Sequence, residues 1–189
     1  MSSPDYLATP ELIRSLDAAI AGKNVNELTS ALRHTLCKLI REGLRLPDAI
    51  YVPNAEHYAR REIYLSPDLG YSVVAMTWGP KQGTSLHDHA GTWCVEGVLA
   101  GSLEITQYEL TDRDQERFRF EQRGSLEAGA GSAGSLIPPH EYHTICNPSS
   151  ETVAVTLHVY GGQLTCCAHF RPTGEHWYQR ESKQLSLDA

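Results

Sequence analysis

Residues 84–101 read Thr84-Ser85-Leu86-His87-Asp88-His89-Ala90-Gly91-Thr92-Trp93-Cys94-Val95-Glu96-Gly97-Val98-Leu99-Ala100-Gly101. Two histidines alternate here with one acidic residue, inside a run rich in residues that favour β-strands. Successive side chains of a strand point to opposite faces, so His87 and His89 are predicted to share a face while Asp88 points away. Two imidazoles on one face supply half of a transition-metal site. The remaining ligands must come from another part of the chain.

The size and charge of the chain exclude several classes of protein. Its 189 residues suit one domain with a sizeable core. A net charge of −7 and a pI of about 5.7 argue against nucleic acid or an anionic membrane surface as partner. No apolar run approaches the ~20 residues that a membrane span needs, and residues 1–5 lack the features of a signal peptide. The five cysteines are odd in number and irregularly spaced, so we expect a cytoplasmic protein, and we favour a monomer.

The first part of the chain is predicted to be helical. Thr9 and Pro10 have the pattern of a helix start, with Thr9 as the N-cap and apolar residues following at helical spacing. Either Asn24 or Asn26 caps a second helix with one apolar stripe. The predicted organisation is a helical segment at residues 1–56, a β-domain at 57–180 and a polar tail at 181–189 that frays. All three parts belong to one domain.

From about residue 58 the pattern changes to short β-rich runs separated by Gly, Pro, Asn and Asp. The predicted strands are Ile63–Leu65, Tyr71–Trp78, Trp93–Leu99, Leu103–Leu110, Phe118–Glu121, Ser135–Ile137, His143–Cys146, Val153–Tyr160 and Cys166–Phe170. Many strands with tight turns and no helices between them predict an all-β sandwich or barrel. A barrel brings distant strands together, so a third metal ligand is expected on a later strand. His140 and His143 are both candidates.

Two linked motifs resemble those of the cupin superfamily. The family's first motif is His-x-His, a spacer, an acidic ligand and then Gly; its second contains Pro-x-Gly-x-x-His-x-x-x-Asn. This chain reads His87-x-His89-x4-Cys94-x6-Gly101, and later Pro138-x-His140-x-x-His143-x-x-x-Asn147. The resemblance implies a cupin-type β-barrel, or jelly roll, with the two N-terminal helices packed outside. It also implies that His143 is the third ligand, because His140 stands at the family's glycine.

The residue at the acidic position of the first motif is Cys94. The proposed ligand set is therefore three neutral imidazoles, which leave a divalent ion its full charge and at least two open positions. Such a centre favours a thiolate as a further ligand, and ferrous iron with open positions suits dioxygen chemistry. Zinc suits three histidines equally well on ligand count. Glu96 shares a face with Cys94; it is either a substitute ligand or, as we favour, a polar residue of the barrel interior.

These features are more specifically similar to the cysteine dioxygenase family of thiol dioxygenases. Thr156, His158 and Tyr160 share one strand face, where the family has a Ser-x-His-x-Tyr hydrogen-bond relay. The resemblance implies a catalytic role for all three residues, an Fe(2+) cofactor, and a thioether between Cys94 and Tyr160. A plain core thiol at Cys94 remains an alternative.

The resemblance also implies a carboxylate-binding site. The family has a Tyr-x-Arg segment before its first long strand, and this chain has Tyr58 and Arg60, with Arg61 predicted to face outward. A guanidinium can grip a carboxylate with two hydrogen bonds, although a surface position for Arg60 is the alternative. Relatives that oxidise 3-mercaptopropionate tend to carry glutamine there, so Arg60 favours cysteine. The family's Tyr-Ser-Pro is replaced by Tyr160-Gly161-Gly162, which implies a looser rim that admits longer thiols.

The resemblance implies a dioxygenase whose partners are a small thiol carboxylate and O2. The expected reaction converts L-cysteine to cysteine sulfinic acid. One alternative is a dioxygenase acting on 3-mercaptopropionate or a related mercapto-acid. A more distant alternative is a non-redox or ligand-sensing cupin, such as a zinc isomerase.

Overall fold

The computed structural model describes residues 7–188 and contains two helices, α1 (Pro10–Ile20) and α2 (Val25–Arg41), and a 3-10 turn at Asp48–Tyr51. The strands are β1 (Ala59–Leu65), β2 (Ser72–Trp78), β3 (Leu86–His87), β4 (Cys94–Ala100), β5 (Ser102–Asp114), β6 (Arg117–Gly129), β7 (Ala133–Leu136), β8 (His143–Cys146), β9 (Ala154–Tyr160), β10 (Cys166–Gly174) and β11 (Trp177–Gln184). In the described part of the chain, no helix is long and apolar enough to cross a membrane.

Both helices begin at side-chain caps. The Thr9 hydroxyl accepts a hydrogen bond from the amide of Leu12 at 3.2 Å, as the sequence predicted. Of the two candidate caps for α2, the structure uses Asn24. Its side chain accepts from the amide of Glu27, and the Glu27 carboxylate accepts from the amide of Asn24 in return.

The strands form two antiparallel sheets. Five strands make the first sheet in the order β1-β2-β9-β4-β7. The other six run β10-β11-β6-β5-β8-β3, and the pairing of β3 with β10 closes them into a ring. The prediction of an all-β cupin-type barrel is therefore confirmed.

The central strands of the five-stranded sheet are buried on both faces. Every residue of β2 and β9 is buried, because α1 and α2 cover the outer face and the barrel interior covers the inner one. The packing against the helices includes Leu12, Leu16, Leu32, Leu36, Val73, Val95, Leu157 and Val159. The two helices thus lie outside the barrel, as predicted, and the inner face of the same sheet is left to carry polar residues.

The expectation that the chain frays from Glu181 is wrong. Strand β11 continues through Gln184 and pairs with both β10 and β6. Beyond it, the Asp188 carboxylate accepts a hydrogen bond from the amide of Arg60 at 2.9 Å. Backbone pairing holds this segment although its side chains are polar, and hydrophobic periodicity gives no sign of such pairing.

Candidate active site

Three histidines converge at one end of the barrel. His87 and His143 are directly opposite each other in the β3–β8 pair. His89 lies beyond the last residue of β3, so the prediction that both histidines sit on one extended strand is wrong for His89. Its ring nevertheless reaches the same place, and one nitrogen from each histidine lies within 4.8 Å of the other two. His140, the other candidate, is exposed and lies outside this group.

The loop that carries His89 is fixed by Asp88. Its carboxylate accepts hydrogen bonds from the amides of Ala90 at 3.0 Å and Ala168 at 2.8 Å. The Asp88 amide also donates to the carbonyl of Ala168. These contacts tie the loop to β10 and direct the His89 ring inward.

The hydrogen bonds of His87 and His143 determine which ring nitrogen of each can bind a metal ion. Nδ1 of His87 donates to the carbonyl of Ser85 at 3.0 Å, and Nδ1 of His143 donates to the carbonyl of Glu141 at 2.7 Å. Nε2 is then the lone-pair nitrogen of each ring. Nε2 of His143 and Nδ1 of His89 are buried without a hydrogen-bond partner. Buried imidazole nitrogens without partners fit the requirements of a transition-metal ion.

The electrostatics favour the metal-binding form of these rings. Burial lowers the pKa of His87, and it lowers the pKa of His89 and of His143 well below the ordinary value. The neighbouring imidazoles act in the same direction. All three rings are therefore neutral at neutral pH, as metal ligation requires.

A buried chain of hydrogen bonds adjoins the three histidines. The indole N–H of Trp78 donates to the Thr156 hydroxyl at 2.9 Å, and that hydroxyl is 2.8 Å from Nε2 of His158. The Thr156 hydroxyl thus connects the Trp78 indole to Nε2 of His158, and Nδ1 of the His158 ring faces the other residues of the site. The Tyr160 hydroxyl lies 3.4 Å from that Nδ1, and the Tyr160 ring meets the His89 ring edge-on, 5.6 Å between centroids.

Strand β4 places two more polar residues against this chain. Cys94 is opposite Tyr160 and Glu96 is opposite His158 in the β4–β9 register. The Cys94 sulfur is 3.9 Å from Nδ1 of His158, and one Glu96 oxygen is 3.5 Å from the same nitrogen. Glu96 therefore faces inward, but it is not part of the three-histidine group.

The predicted carboxylate-binding residues face the same pocket as two of the three histidines. Tyr58 and Arg60 line it together with His87 and His89. Arg60 is only 5% exposed, and its guanidinium donates to the carbonyl of Ser186 at 3.1 Å. The Tyr58 ring stacks on that of Trp78, with 4.6 Å between centroids. Arg61 points to the other face of β1, where it donates to the carbonyl of Val52.

The pocket contains residues that the sequence analysis missed. Lys183 reaches it from β11, and Cys167 and His169 reach it from β10. His169 stands beside His87 in the β3–β10 pair and lies 3.0 Å from the Glu181 carboxylate. No local pattern indicated these residues, because the pairing of β10 with β3 and β11 is what brings them to the site.

Gly161 does not form a loose rim. A side chain there would begin 2.6 Å from the indole nitrogen of Trp93 and 2.8 Å from the Thr92 hydroxyl. The Gly161 amide also donates to the Trp93 carbonyl. The glycine is required by close packing, and the expectation of extra room for a longer thiol does not hold at this position.

This chain is similar in sequence to known proteins. The family model described as cysteine dioxygenase type I matches residues 52–172, more than half of the chain. The cysteine dioxygenase type 1 of Rattus norvegicus is 25% identical over 163 residues, which cover 85% of this chain and 77% of that protein. The one of Danio rerio is 27% identical over 107 residues, 56% of this chain and about half (53%) of the relative.

A solved structure of a conserved protein with a double-stranded beta-helix domain from Klebsiella pneumoniae covers 64% of this chain and 85% of its own. Its sequence identity to this chain is 17%, and the TM-score is 0.47.

Proposed function

Because the chain belongs to the cysteine dioxygenase type I family, we propose that it oxidises L-cysteine with dioxygen to cysteine sulfinic acid. The proposed cofactor is one Fe(2+) held by His87, His89 and His143. The observation that carries the proposal is the convergence of three neutral imidazoles, two of which, His87 and His89, line a pocket that also contains a buried arginine. Bound iron would supply open coordination positions for a thiolate and for dioxygen.

The protein's own residues would bind and orient the substrate. Arg60 lies in the pocket wall with its guanidinium held by backbone carbonyls, and it binds the substrate carboxylate. The Tyr160 hydroxyl donates a hydrogen bond to the substrate, and burial raises its pKa, so it keeps its proton. His158 and Thr156 orient that hydroxyl.

The substrate assignment is tested by comparing thiols at matched concentration. We expect the iron-loaded protein to consume dioxygen with L-cysteine at least about 10-fold more efficiently than with 3-mercaptopropionate, because this chain has Arg60 where relatives that oxidise 3-mercaptopropionate tend to carry glutamine. A 10-fold preference requires about 1.4 kcal/mol of additional binding free energy for L-cysteine. Oxygen uptake and mass analysis of the sulfinate product provide the measurement. Preference for 3-mercaptopropionate would assign the chain to the alternative substrate.

The metal is tested separately. Elemental analysis of the purified protein should find iron, and removal of iron should abolish oxygen uptake. A protein that contains zinc, and that is active with zinc, would favour the non-redox cupin instead.

We also propose a thioether between Cys94 and Tyr160. The two residues are opposite each other across antiparallel strands, where Cβ atoms lie about 4.5–5.5 Å apart. A carbon–sulfur bond would form with the loss of two hydrogens, and dioxygen would take the two electrons. The intact mass after turnover should be lower by two hydrogen atoms, and Cys94→Ser should show no such deficit. An unchanged wild-type mass would leave Cys94 as a core thiol.

All five cysteines are free thiols in the structure. Free thiols fit a reducing compartment, and we retain the cytoplasm as the proposed location.

A further inference from the structure

A second group of metal-ligating side chains lies beside the three histidines. It consists of Cys94, Glu96 and His158, and one ligand atom from each lies within 4.8 Å of the other two. Cys94 and Glu96 come from β4, and His158 comes from β9, directly opposite Glu96. All three side chains are buried. This Cys–Glu–His cluster shares no residue with the three-histidine group.

The contacts of the cluster converge on Nδ1 of His158. The Glu96 Oε2 atom is 3.5 Å from this nitrogen and the Cys94 sulfur is 3.9 Å from it. The Tyr160 hydroxyl faces the same nitrogen at 3.4 Å. Both oxygens are farther away than the about 2.7–3.2 Å of an ordinary hydrogen bond, and Glu96 Oε2 has no hydrogen-bond partner. A buried carboxyl oxygen in this position requires an explanation other than hydrogen bonding within the protein.

One metal ion would bind all three side chains of the cluster at once. Bonds from a tetrahedral zinc ion to nitrogen, oxygen and sulfur are about 2.0–2.3 Å long, which places neighbouring ligand atoms about 3.3–3.7 Å apart. The separations of 3.5 and 3.9 Å from Nδ1 to the Glu96 oxygen and the Cys94 sulfur are close to this spacing. The Thr156 hydroxyl can accept from the Trp78 indole and also from Nε2 of His158, which is 2.8 Å away. Nδ1 then keeps its lone pair for the ion.

The charges of the cluster suit a divalent cation. A thiolate and a carboxylate together carry two negative charges, so a divalent ion makes the buried cluster neutral overall. Burial lowers the pKa of His158 to about 3, which keeps its imidazole in the neutral form that binds metal. Burial raises the pKa of Cys94 and that of Glu96, and a coordinated cation opposes this effect because it deprotonates the thiol. Zinc binds sulfur, nitrogen and oxygen ligands of these types in proteins.

A second cavity gives an ion access to the cluster. It has a volume of about 230 Å³, and Glu96 is part of its wall, whereas none of the three histidines is. The wall also includes the exposed residues Arg33, Gln107 and Leu126, so the cavity extends toward the surface. Because a water molecule takes about 30 Å³ of liquid volume, the cavity has room for an ion with several waters. An ion can therefore reach Glu96 without passing through the substrate pocket, and water can fill its fourth coordination position.

We propose that Cys94, Glu96 and His158 form a second metal site, which binds Zn(2+) and is separate from the proposed iron site. Bonds form from zinc to the sulfur, to a carboxylate oxygen and to Nδ1, and the thiol proton and any carboxyl proton pass to water. No electrons are exchanged. The Cys94 sulfur cannot bind zinc as a thiolate and also form a thioether with Tyr160. Zinc should therefore inhibit the enzyme, a consequence that rests on the proposed dioxygenase function.

The site is tested by titrating the metal-free protein with Co(2+), which accepts the same ligands as Zn(2+) and absorbs light. A thiolate ligand gives Co(2+) a charge-transfer band in the near ultraviolet, and imidazole ligands do not. The wild type should bind two ions per chain, one of them with this band. Cys94→Ser and Glu96→Gln should each bind one ion at the three histidines, which also shows that they fold. The band should be absent from Cys94→Ser, and Glu96→Gln should need more than about 100-fold more Co(2+) to reach it.

Three control variants locate the thiolate ligand. Cys167→Ser removes a thiol that lines the substrate pocket, and Glu127→Gln removes an exposed carboxylate of β6 beside residues that line the second cavity. Both should bind two ions and show the band. His143→Ala, with its fold checked by thermal unfolding, should keep the band and lose the other ion. A wild type without the band, or a band that persists unchanged in Cys94→Ser or Glu96→Gln, overturns the inference.

Inhibition by zinc tests the consequence for activity. The iron-loaded protein, before any thioether has formed, should lose most of its oxygen uptake with one equivalent of Zn(2+), while it keeps its iron and shows no mass deficit. Glu96→Gln should lose much less, relative to its own rate without zinc, and equal losses in both proteins would contradict the inhibitory role. Binding of Co(2+) does not require turnover. A protein that shows the charge-transfer band but forms no sulfinate from any thiol would overturn the proposed function and leave the second metal site in place.

Discussion

Replacing His143 with alanine should abolish dioxygenase activity and metal binding together. His143 supplies a buried Nε2 that has no hydrogen-bond partner, and it is directly opposite His87 in the β3–β8 pair. Loss of groups that merely orient a ligand costs about 10–100-fold in metal affinity, so loss of a ligand should cost more than about 100-fold. The measurements are the iron content, the oxygen uptake and the increase in melting temperature when metal is added. That increase should be lost in the variant, because it depends on metal binding to the folded state.

The matched control for this variant is His140→Ala. His140 lies three positions earlier and is exposed, and it stands outside the three-histidine group. Its replacement should leave iron content and turnover at wild-type values. If His140→Ala lost the metal while His143→Ala retained it, the ligand assignment would be wrong. The metal-free forms of both variants should be compared by thermal unfolding, to separate loss of metal from loss of fold.

Replacing Arg60 with alanine should raise the KM for L-cysteine about 100-fold with a smaller change in kcat. Removing one partner of a buried charge pair costs about 2–5 kcal/mol, and about 2.7 kcal/mol corresponds to this factor. Arg60→Lys keeps the charge but cannot form two parallel hydrogen bonds with a carboxylate, so it should recover only part of the affinity. Initial rates across a cysteine concentration series provide the measurement.

Arg61→Ala is the control, because Arg61 adjoins Arg60 in β1 but its side chain lies on the opposite face. It should keep the wild-type KM even if it lowers stability. Unchanged turnover of Arg60→Ala at low cysteine would show that the carboxylate binds elsewhere, and Lys183 in the same pocket would then be the next residue to test. Iron content must be measured in each variant, because the Arg60 side chain also holds the carbonyls of Ser186 and Leu164.

The parts of the site on long strands could be predicted from the sequence. Alternation on β9 places Thr156, His158 and Tyr160 on one face, and the structure connects these residues by hydrogen bonds. The same alternation on β4 puts Cys94 and Glu96 on one face, and the register sets them against β9. The alternation of side chains between the two faces predicts these positions correctly because β4 and β9 are both seven residues long and buried.

The parts of the site that depend on long-range pairing could not be predicted. Strand β3 has only two residues, so the direction of His89 is set by the contacts of Asp88 with β10 and not by alternation. Lys183 reaches the pocket from a polar strand that carries no hydrophobic pattern. The contact between Glu96 and His158 required the register of β4 with β9, which a single sequence does not contain.

The last described residues bear directly on how the protein can be engineered. The Asp188 amide donates to the carbonyl of Arg60 at 2.7 Å, and its carboxylate accepts from the Arg60 amide and from the Asn54 side chain. A purification tag or a deletion placed after Gln184 would therefore act on Arg60, the proposed carboxylate-binding residue, more than a hundred positions away in the sequence. Tags should therefore be placed at the N-terminus. Any kinetic comparison between differently tagged preparations should begin by checking that the hydrogen bonds between Asp188 and Arg60 are intact.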